Sequence, residues 1–518
     1  MAATLARELL MSSRAAVSAT LVSYLSYGVG ILSSALLIPL TIHALGDSQF
    51  ALWSLTLSSL SLLSLLEGGL ATAWMRFASG APDSQRLQRG LTTMLGTYLR
   101  VVALGLLVLT AISFFYPAWA GAPAEVARPL LWILGARLFY VTLPLTLFRV
   151  LLHGQHHTVP AQIWATFHQL LYVSLAAAWL IRGGGILGLA WINLGVALSE
   201  NLGYVWMAYR RVPGLRLFPW QRDAPMAREF HVQAAAGAVV QLASLVLLKT
   251  DPILVKAVLP LHAVALYAVA LKVAENYLMF LKQFLPVLTP RLGAAAARRD
   301  LETLRRLIIQ SSGWATVPAM ALGLPFWLGA EGLLEHWVGP KYVAAAPALK
   351  ILLLSGLLSL PQMVISSALA MSGQLAANAR AALLATLLNP VASLLWARAV
   401  GLPGIALGTL TATLVVDCLV VFRSGSRIFE MSLWSWAKAW LRLHLPGLLL
   451  VLPLLAVTRG WASLHLLNWC LWAGLGALLY GLAVLFGLPA KERSLLKDLR
   501  KRGAPEASSS ASAEATPA

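Results

Sequence analysis

Long apolar runs dominate this sequence. Fourteen of them fall at 19–42, 49–75, 91–117, 124–150, 159–181, 184–209, 231–258, 262–288, 307–330, 345–371, 375–398, 401–423, 441–458 and 465–488. Each is close to the roughly 20 residues that carry a helix across a bilayer core of about 30 Å. Lipid offers no partner to an unpaired backbone N–H or C=O, so such runs must be helical. The chain is 59% hydrophobic and only 11% charged, where a soluble domain carries about 25% charge. This pattern predicts an all-α polytopic membrane protein with about 14 transmembrane helices.

The formal net charge of +19 would suggest nucleic acid in a soluble protein, but here the placement of the charges decides. The connecting segments alternate between two sets. One set comprises the N-terminus, the loops near 76–90, 149–158, 210–230, 289–306, 372–380 and 424–442, and the C-terminal tail. It carries 27 of the 39 lysines and arginines, and the other set carries five. The positive-inside rule places the richer set, with both termini, in the cytoplasm. The charge therefore reads as a topology signal assisted by anionic headgroups, with no nucleic-acid partner. Arg7 and Arg14 precede an apolar segment too long for a signal-peptide core, which predicts a short interfacial helix and a retained first span. Cys418 and Cys470 both fall within apolar runs and provide neither a disulfide framework nor a metal spacing. The tail "GAPEASSSASAEATPA" is low-complexity and reads as disordered.

The chain also resembles itself. "FALW" at 50–53 matches "VALY" at 264–267, and Arg76 matches Arg291. Gly154-Gln155 matches Gly373-Gln374, and Gly185-Ile186 matches Gly404-Ile405. The offsets are 214, 215, 219 and 219. Six spans separate equivalent points, so the two copies share an orientation and their pseudo-two-fold runs along the membrane normal. The expected organisation is an N-terminal six-helix half at 1–210, a basic linker at 211–230, a second half at 231–425, two additional helices at 426–490, and a tail at 491–518.

Charges within the spans are the functional candidates, because each is costly in hydrocarbon. They are Glu67, Arg100, Arg137, Glu200, Lys249, Asp251, Lys272, Glu275, Lys282, Lys350 and Asp417. In "LKVAENYLMFLKQFLP" at 271–286, Lys272, Glu275, Asn276, Met279, Lys282, Gln283 and Pro286 share an arc of roughly 120° at about 100° per residue. Glu275 lies near mid-span. Lys282 lies about 10 Å from the basic end, within partial snorkelling reach. Such a stripe lines water, substrate or a polar partner helix; a Lys272–Glu275 pair at i, i+3 that only stabilises packing is the alternative. In the seventh span Gln233, Gly237, Gln241, Ser244 and Asp251 share a face, and Lys249 points away from Asp251. Asp251-Pro252 marks a kink or helix end. Asn193, Glu200 and Tyr204 share a face in the sixth span, as do Thr413 and Asp417 in the twelfth.

Recognisable catalytic chemistry is missing. No G-x-x-x-x-G-K-[ST] occurs, "GVGILS" at 28–33 lacks the last glycine of a dinucleotide fingerprint, and "HGQHH" at 153–157 lacks the spacing of a metal site. No nucleophile, base and orienting group can be assembled from the loops. The reading is therefore a transporter and not an enzyme, with no cofactor and no metal.

The stretch "IPLTIHALGDSQFALWSLTLSSLSLLSLLEGGLATAWMRFAS" at 38–79 resembles the opening of bacterial polysaccharide transporters, the Wzx-type flippases of lipid-linked oligosaccharides. Leu45-Gly46, Phe50, Glu67-Gly68 and Met75-Arg76 carry the likeness. "TDPILVKAVLPLHAVALYAVALKVAE" at 250–275 resembles the matching stretch of the second half. The resemblance covers most of residues 19–425, with motifs of low specificity. Its parent superfamily also holds multidrug and lipid II exporters. It implies alternating access by two rocking halves in the bacterial inner membrane, with an undecaprenyl-pyrophosphate-linked oligosaccharide as substrate for O-antigen-like surface polysaccharide or exopolysaccharide. It also implies H+ or Na+ as a coupling ion, and a polysaccharide polymerase as a possible partner beside the membrane lipids.

On this reading Arg76, Arg137, Lys272, Lys282, Gln241 and Asn276 are assigned to the headgroup and pyrophosphate. Glu67, Asp251 and Glu275 are the cavity or coupling carboxylates. The chain departs from many multidrug members in having no acid at 19–42, and it lacks the arginine-rich signature of the lipid II flippase near its first span. A cation-coupled multidrug antiporter and a non-transporting scaffold of a polysaccharide assembly complex remain the alternatives.

Overall fold

The computed structural model describes residues 2–80, 83–155, 157–212, 214–216, 223–462 and 465–487, with side chains described except at 2–21, 23, 236–248, 286–287, 375, 418 and 462. The tail at 491–518 and the side chains of Gln241, Gly237, Ser244 and Pro286 lie outside this description. Every described regular element is helical. Among the described residues thirteen helices are long and apolar enough to cross a membrane. The remaining apolar run, 231–258, coincides with the helices Ala224–Lys249 and Asp251–Val258. The protein is a multi-pass membrane protein.

Spans are numbered here in chain order. Span 1 is Tyr24–Leu45, and span 2 is Asp47–Glu67 continued by Leu70–Gly80. Spans 3 to 6 are Ser84–Ala120, Ala124–Gly154, Thr158–Ile181 and Ile186–Arg211. Span 7 is the helix pair just given. Span 8 is Leu261–Lys282 continued by Leu285–Ala297. Spans 9 to 12 are Leu301–Leu328, Pro340–Met371, Leu375–Val400 and Leu402–Ile428. Spans 13 and 14 are Leu433–Ala462 and Leu466–Gly487.

The loops are much shorter than hydropathy suggests. The segment near 76–90 shrinks to a few residues between Gly80 and Ser84, and that near 289–306 shrinks to Arg298–Asp300. Helices run past their apolar stretches into polar sequence, so Arg76, Arg86, Arg89 and Arg291 sit on helices and not in loops. The helix before span 1 is continuous with it from Ala2 and breaks first at Gly46, where φ is 78°.

Two spans interrupt at equivalent places. Span 2 breaks at Gly68-Gly69, both left-handed with φ of 54° and 78°. Only glycine takes two such residues in succession at little cost. Span 8 breaks at Gln283-Phe284, 215 residues further on, which is the offset of the Arg76–Arg291 match. The halves meet where span 1 packs on span 8 and span 2 packs on span 7. A two-fold that exchanges spans 1 and 7, and spans 2 and 8, maps each of these contacts onto the other.

Spans 13 and 14 pack on span 9. Buried His444 joins all three, with Nε2 2.8 Å from Thr316 Oγ1 and Nδ1 2.7 Å from the Tyr480 hydroxyl. Spans 11 and 12 approach most closely of all. A Cβ on Gly404 or Gly408 would lie 2.3 Å from backbone atoms of Trp396 or Ser393. This is the small-xxx-small device that lets membrane helices touch backbone to backbone.

Candidate functional site

The polar face of span 8 folds against spans 1 and 7, between the two halves. Glu275 is its centre. Lys249 Nζ donates to Glu275 Oε1 at 2.7 Å, and Lys272 Nζ lies 3.8 Å from Oε2. The glutamate side chain is 16% exposed, whereas the two lysines are 34% and 40% exposed. The ammonium groups therefore keep contact with open space while the carboxylate sits behind them. Asn276 ties the halves together: its Nδ2 donates to Ser34 Oγ at 2.9 Å, and its carbonyl accepts from the Tyr27 hydroxyl at 2.9 Å. Lys282, half-buried at the break of span 8, has no ion-pair partner among the described residues.

The structure thus brings together Lys272, Glu275 and Asn276, with Lys282 along the same helix. It adds three residues the sequence reading had not placed there: Lys249, Tyr27 and Ser34. Lys249 had been set apart from Asp251 by helical phase, and the two do diverge. Tyr27 and Ser34 carried no charge signal, although each is a polar group in an otherwise apolar span.

Asp251 opens a new helix, because the first helix of span 7 ends at Lys249. The carboxylate is fully buried within the second half. Its Oδ2 accepts from the Tyr267 hydroxyl at 2.5 Å and from Thr409 Oγ1 at 3.3 Å. Thr409 is in turn 3.4 Å from Asn389 Nδ2, and Asn389 Oδ1 accepts from Ser393 Oγ at 3.2 Å. Asp251 Oδ1 is buried without a partner among the described residues. The Gly404 and Gly408 contact makes this cluster possible, because it draws span 12 close enough for Thr409 to reach both Asn389 and Asp251.

Glu67 and Arg137 belong to a separate network in the first half. Glu67 ends the upper helix of span 2 and accepts from the buried Tyr98 hydroxyl at 2.5 Å, and also from the Ala71 N–H at the start of the lower helix. That N–H is one of the orphan donors of a helix N-terminus, so the carboxylate caps the half-helix as it enters. Arg149 lies near Glu67 and against the Tyr204 hydroxyl, which donates to Glu200 at 2.9 Å. Arg137 neighbours Tyr172 and Glu200, and its Nε is buried without a partner. It opens a π-helical turn, Arg137–Thr142, in span 4. Asp417 opens another, Asp417–Phe422, in span 12. Such turns re-aim side chains and frequently mark functional positions. Arg149 was counted with the loop charges because it ends an apolar run; the helix continues past it to Gly154.

Arg76 lies apart from both clusters. It is exposed at the end of span 2 that faces the basic loops, in a cavity with Arg86, Glu229 and Gln233. At the opposite face Asp47 joins the halves, bonded to Lys341 Nζ at 2.6 Å and to the Tyr342 hydroxyl at 2.7 Å. Trp337 Nε1 adds a bond to the Ala35 carbonyl at 2.8 Å.

Two helical halves meeting at an internal polar face recur in solved structures of transporters. The chain is similar to an inward-facing multidrug-resistance transporter of the MATE family, in the MOP superfamily: TM-score 0.67, 16% identity, 78% of this chain and 96% of that one. It is also similar to the lipid II flippase MurJ in an inward closed conformation: TM-score 0.65, 13% identity, 93% of this chain and all of that one. A MOP-superfamily transporter from Pyrococcus furiosus gives a TM-score of 0.60 at 16% identity, over 80% of this chain and 95% of that one. These likenesses establish the fold as that of MOP-superfamily transporters. The chain belongs to the polysaccharide biosynthesis protein family, whose model matches residues 16–295. No curated protein matches the sequence.

Proposed function

We propose that this protein flips an undecaprenyl-pyrophosphate-linked oligosaccharide across the bacterial inner membrane, from the cytoplasmic to the outer leaflet, for surface or exopolysaccharide synthesis. The observation that carries the reading is the pair of ammonium side chains Lys249 and Lys272 on one carboxylate, Glu275, where the halves meet, with Lys282 further along the same helix and without an ion-pair partner among the described residues. A single glutamate leaves this wall cationic. In a partly dehydrated passage an ammonium excess is a counter-charge for a pyrophosphate, which ammonium groups recognise as point charges. The family membership supports the polysaccharide pathway, and the likeness to a lipid II flippase supports a lipid-linked cargo. The lipid tail stays in the bilayer while the headgroup passes between the halves. Both termini and the basic loops are assigned to the cytoplasm by their charge.

Coupling is assigned to the second half. Asp251 is a fully buried carboxylate with no cationic side chain among its hydrogen-bond partners and one unpartnered oxygen. A proton or Na+ at Oδ1 would neutralise it, with Thr409 and Asn389 as further oxygen-bearing neighbours. Binding there would bias the junction of spans 7, 8 and 12, on which Lys249 and Lys272 ride.

The test is surface polysaccharide in a deletion strain complemented with Lys272→Ala or Lys249→Ala. Loss of polysaccharide is expected while the protein reaches the membrane at normal level. Normal polysaccharide in both variants would remove the cationic wall from the mechanism. Drug hypersensitivity of the deletion strain with unchanged polysaccharide would favour the antiporter reading instead.

A further inference from the structure

Away from the Glu275 junction, spans 2, 3 and 7 form an open cavity of about 180 Å³ lined by Arg76, Phe77, Gly80, Arg86, Glu229 and Gln233. A water takes up about 30 Å³ in the liquid, so the space holds several waters and admits a phosphate group. Its walls come from two sides: Arg76, Phe77, Gly80 and Arg86 from the first half, Glu229 and Gln233 from the helix Ala224–Lys249 that opens span 7. Arg76 lies four residues before the end of the helix Leu70–Gly80, or about 6 Å of helix rise. This is the end of span 2 that faces the basic loops.

Of the two guanidinium groups, Arg86 is held by an aromatic ring and Arg76 is exposed. Arg86 lies over the Phe77 ring at 5.9 Å, and Phe77 is fixed by stacking on Trp74 at 5.7 Å and by the edge of Phe230 at 5.1 Å. Neither arginine forms an ion pair with a carboxylate among the described residues. Asp83 is nearby, but its carboxylate caps the Arg86 backbone N–H at 2.6 Å. Glu229 accepts from Gln233 Nε2 at 3.0 Å, and Gln233 Oε1 is buried without a partner. Two fork-shaped donors beside a carboxylate and a free amide oxygen suit a phosphate that bears a hydroxyl or ammonium substituent.

We infer that this cavity binds the phosphate-bearing headgroup of a resident membrane lipid, and that the bound headgroup clamps span 7 against spans 2 and 3. The site does not depend on the cargo proposed above, since none of its residues is among the contacts of Glu275. The experiment is thermal unfolding of the purified full-length protein in mixed micelles carrying phosphatidylglycerol, diacylglycerol or neither. Phosphatidylglycerol should raise the melting temperature by several degrees and diacylglycerol should not. The Arg76→Gln/Arg86→Gln variant should lose that gain. Glu229→Gln, which removes the competing carboxylate, should reach half-effect at several-fold lower lipid, and it tests the site even if the double variant does not fold. Inorganic pyrophosphate giving the same arginine-dependent shift would keep the phosphate site and assign its ligand to solution. An equal response to diacylglycerol, or an undiminished gain in the double variant together with no change in Glu229→Gln, would overturn the site.

Discussion

The two halves share a scaffold but treat their charges differently. In the first half Arg137 and Arg149 stand among Glu67 and Glu200, with Tyr98 and Tyr204 bonded to the carboxylates. Cations and anions are matched, and a matched set inside a bundle serves packing and register. In the second half the charges are segregated. Lys249 and Lys272 share Glu275, Lys282 has no ion-pair partner among the described residues, and Asp251 is walled off behind Tyr267 and Thr409. Unbalanced charge in a membrane interior is costly and persists where it does work on an ion or substrate. Symmetric backbone breaks at 68–69 and 283–284 thus carry asymmetric chemistry. The first half reads as frame, and the second as the part that handles charge.

The sharpest way to break this comparison is to separate spans 11 and 12. Gly408→Leu would place a Cβ 2.3 Å from the Ser393 backbone, which cannot yield as a side-chain tip can. Overpacking of this kind costs about 1–3 kcal/mol or more. The expected result is loss of most protein from the membrane fraction, with Gly408→Ala milder. Next in size is Asp251→Ala, which leaves the buried Tyr267 hydroxyl without its acceptor, at about 1–3 kcal/mol. Asp251→Asn keeps an acceptor there and should fold. It should still lose polysaccharide export, and in proteoliposomes any response to an imposed Na+ or proton gradient. A gradient response that survives in Asp251→Asn would move coupling out of the second half.

A paired substitution separates frame from function. Lys272→Ala should abolish surface polysaccharide with little change in melting temperature, because its side chain is 40% exposed and its contact with Glu275 is long. Arg137→Ala should lower the melting temperature and the amount of protein in the membrane, because it leaves Glu200 without its nearby cation. Any polysaccharide it loses should follow its abundance. If Arg137→Ala were instead stable, abundant and inactive, the first half would share the headgroup and the comparison would fail.

The fold was almost fully legible in hydropathy, because length and apolarity are the only requirements a membrane places on a helix. The polar face of span 8 was legible for the same reason: Lys272, Glu275, Asn276 and Lys282 lie within one unbroken helix, where phase holds. Asp251 is less legible because Thr250 interrupts the helix just before it, and Arg149 reads as a loop charge because the apolar run ends there while the helix continues to Gly154. Tyr27, Ser34 and Asn389 were illegible one by one. Hydroxyl and amide side chains are common in spans, and only tertiary packing shows which of them meet. The spacing Gly404-x-x-x-Gly408 was a signal that went unused, and it would have pointed to the close approach that places Thr409 against Asp251.

The smallest expected effect lies at the face opposite the basic loops, and it tests whether the charges there are frame or function. Asp47–Lys341 joins the halves, whereas Glu331 binds Lys350 at 2.5 Å and Arg459 at 3.0 Å within the second half and its added spans. Burial pushes the Glu331 carboxyl up, but the Lys350 hydrogen bond and the charges of Lys350 and Arg459 outweigh it and hold the group below its ordinary range. A carboxyl depressed by folding stabilises the folded state above its unfolded value of about 4.3, and that gain is lost as pH falls through the folded value. All three partners keep some solvent contact, so the gain is about 1 kcal/mol or less. Wild type and Glu331→Gln should therefore differ by a small, constant margin in melting temperature from about pH 8 to pH 5, and converge below that. A margin that widened toward acid would mean that protonated Glu331 is the stabilising form. The cluster would then act as an acid-closed latch instead of a passive tie between the second half and its two added spans.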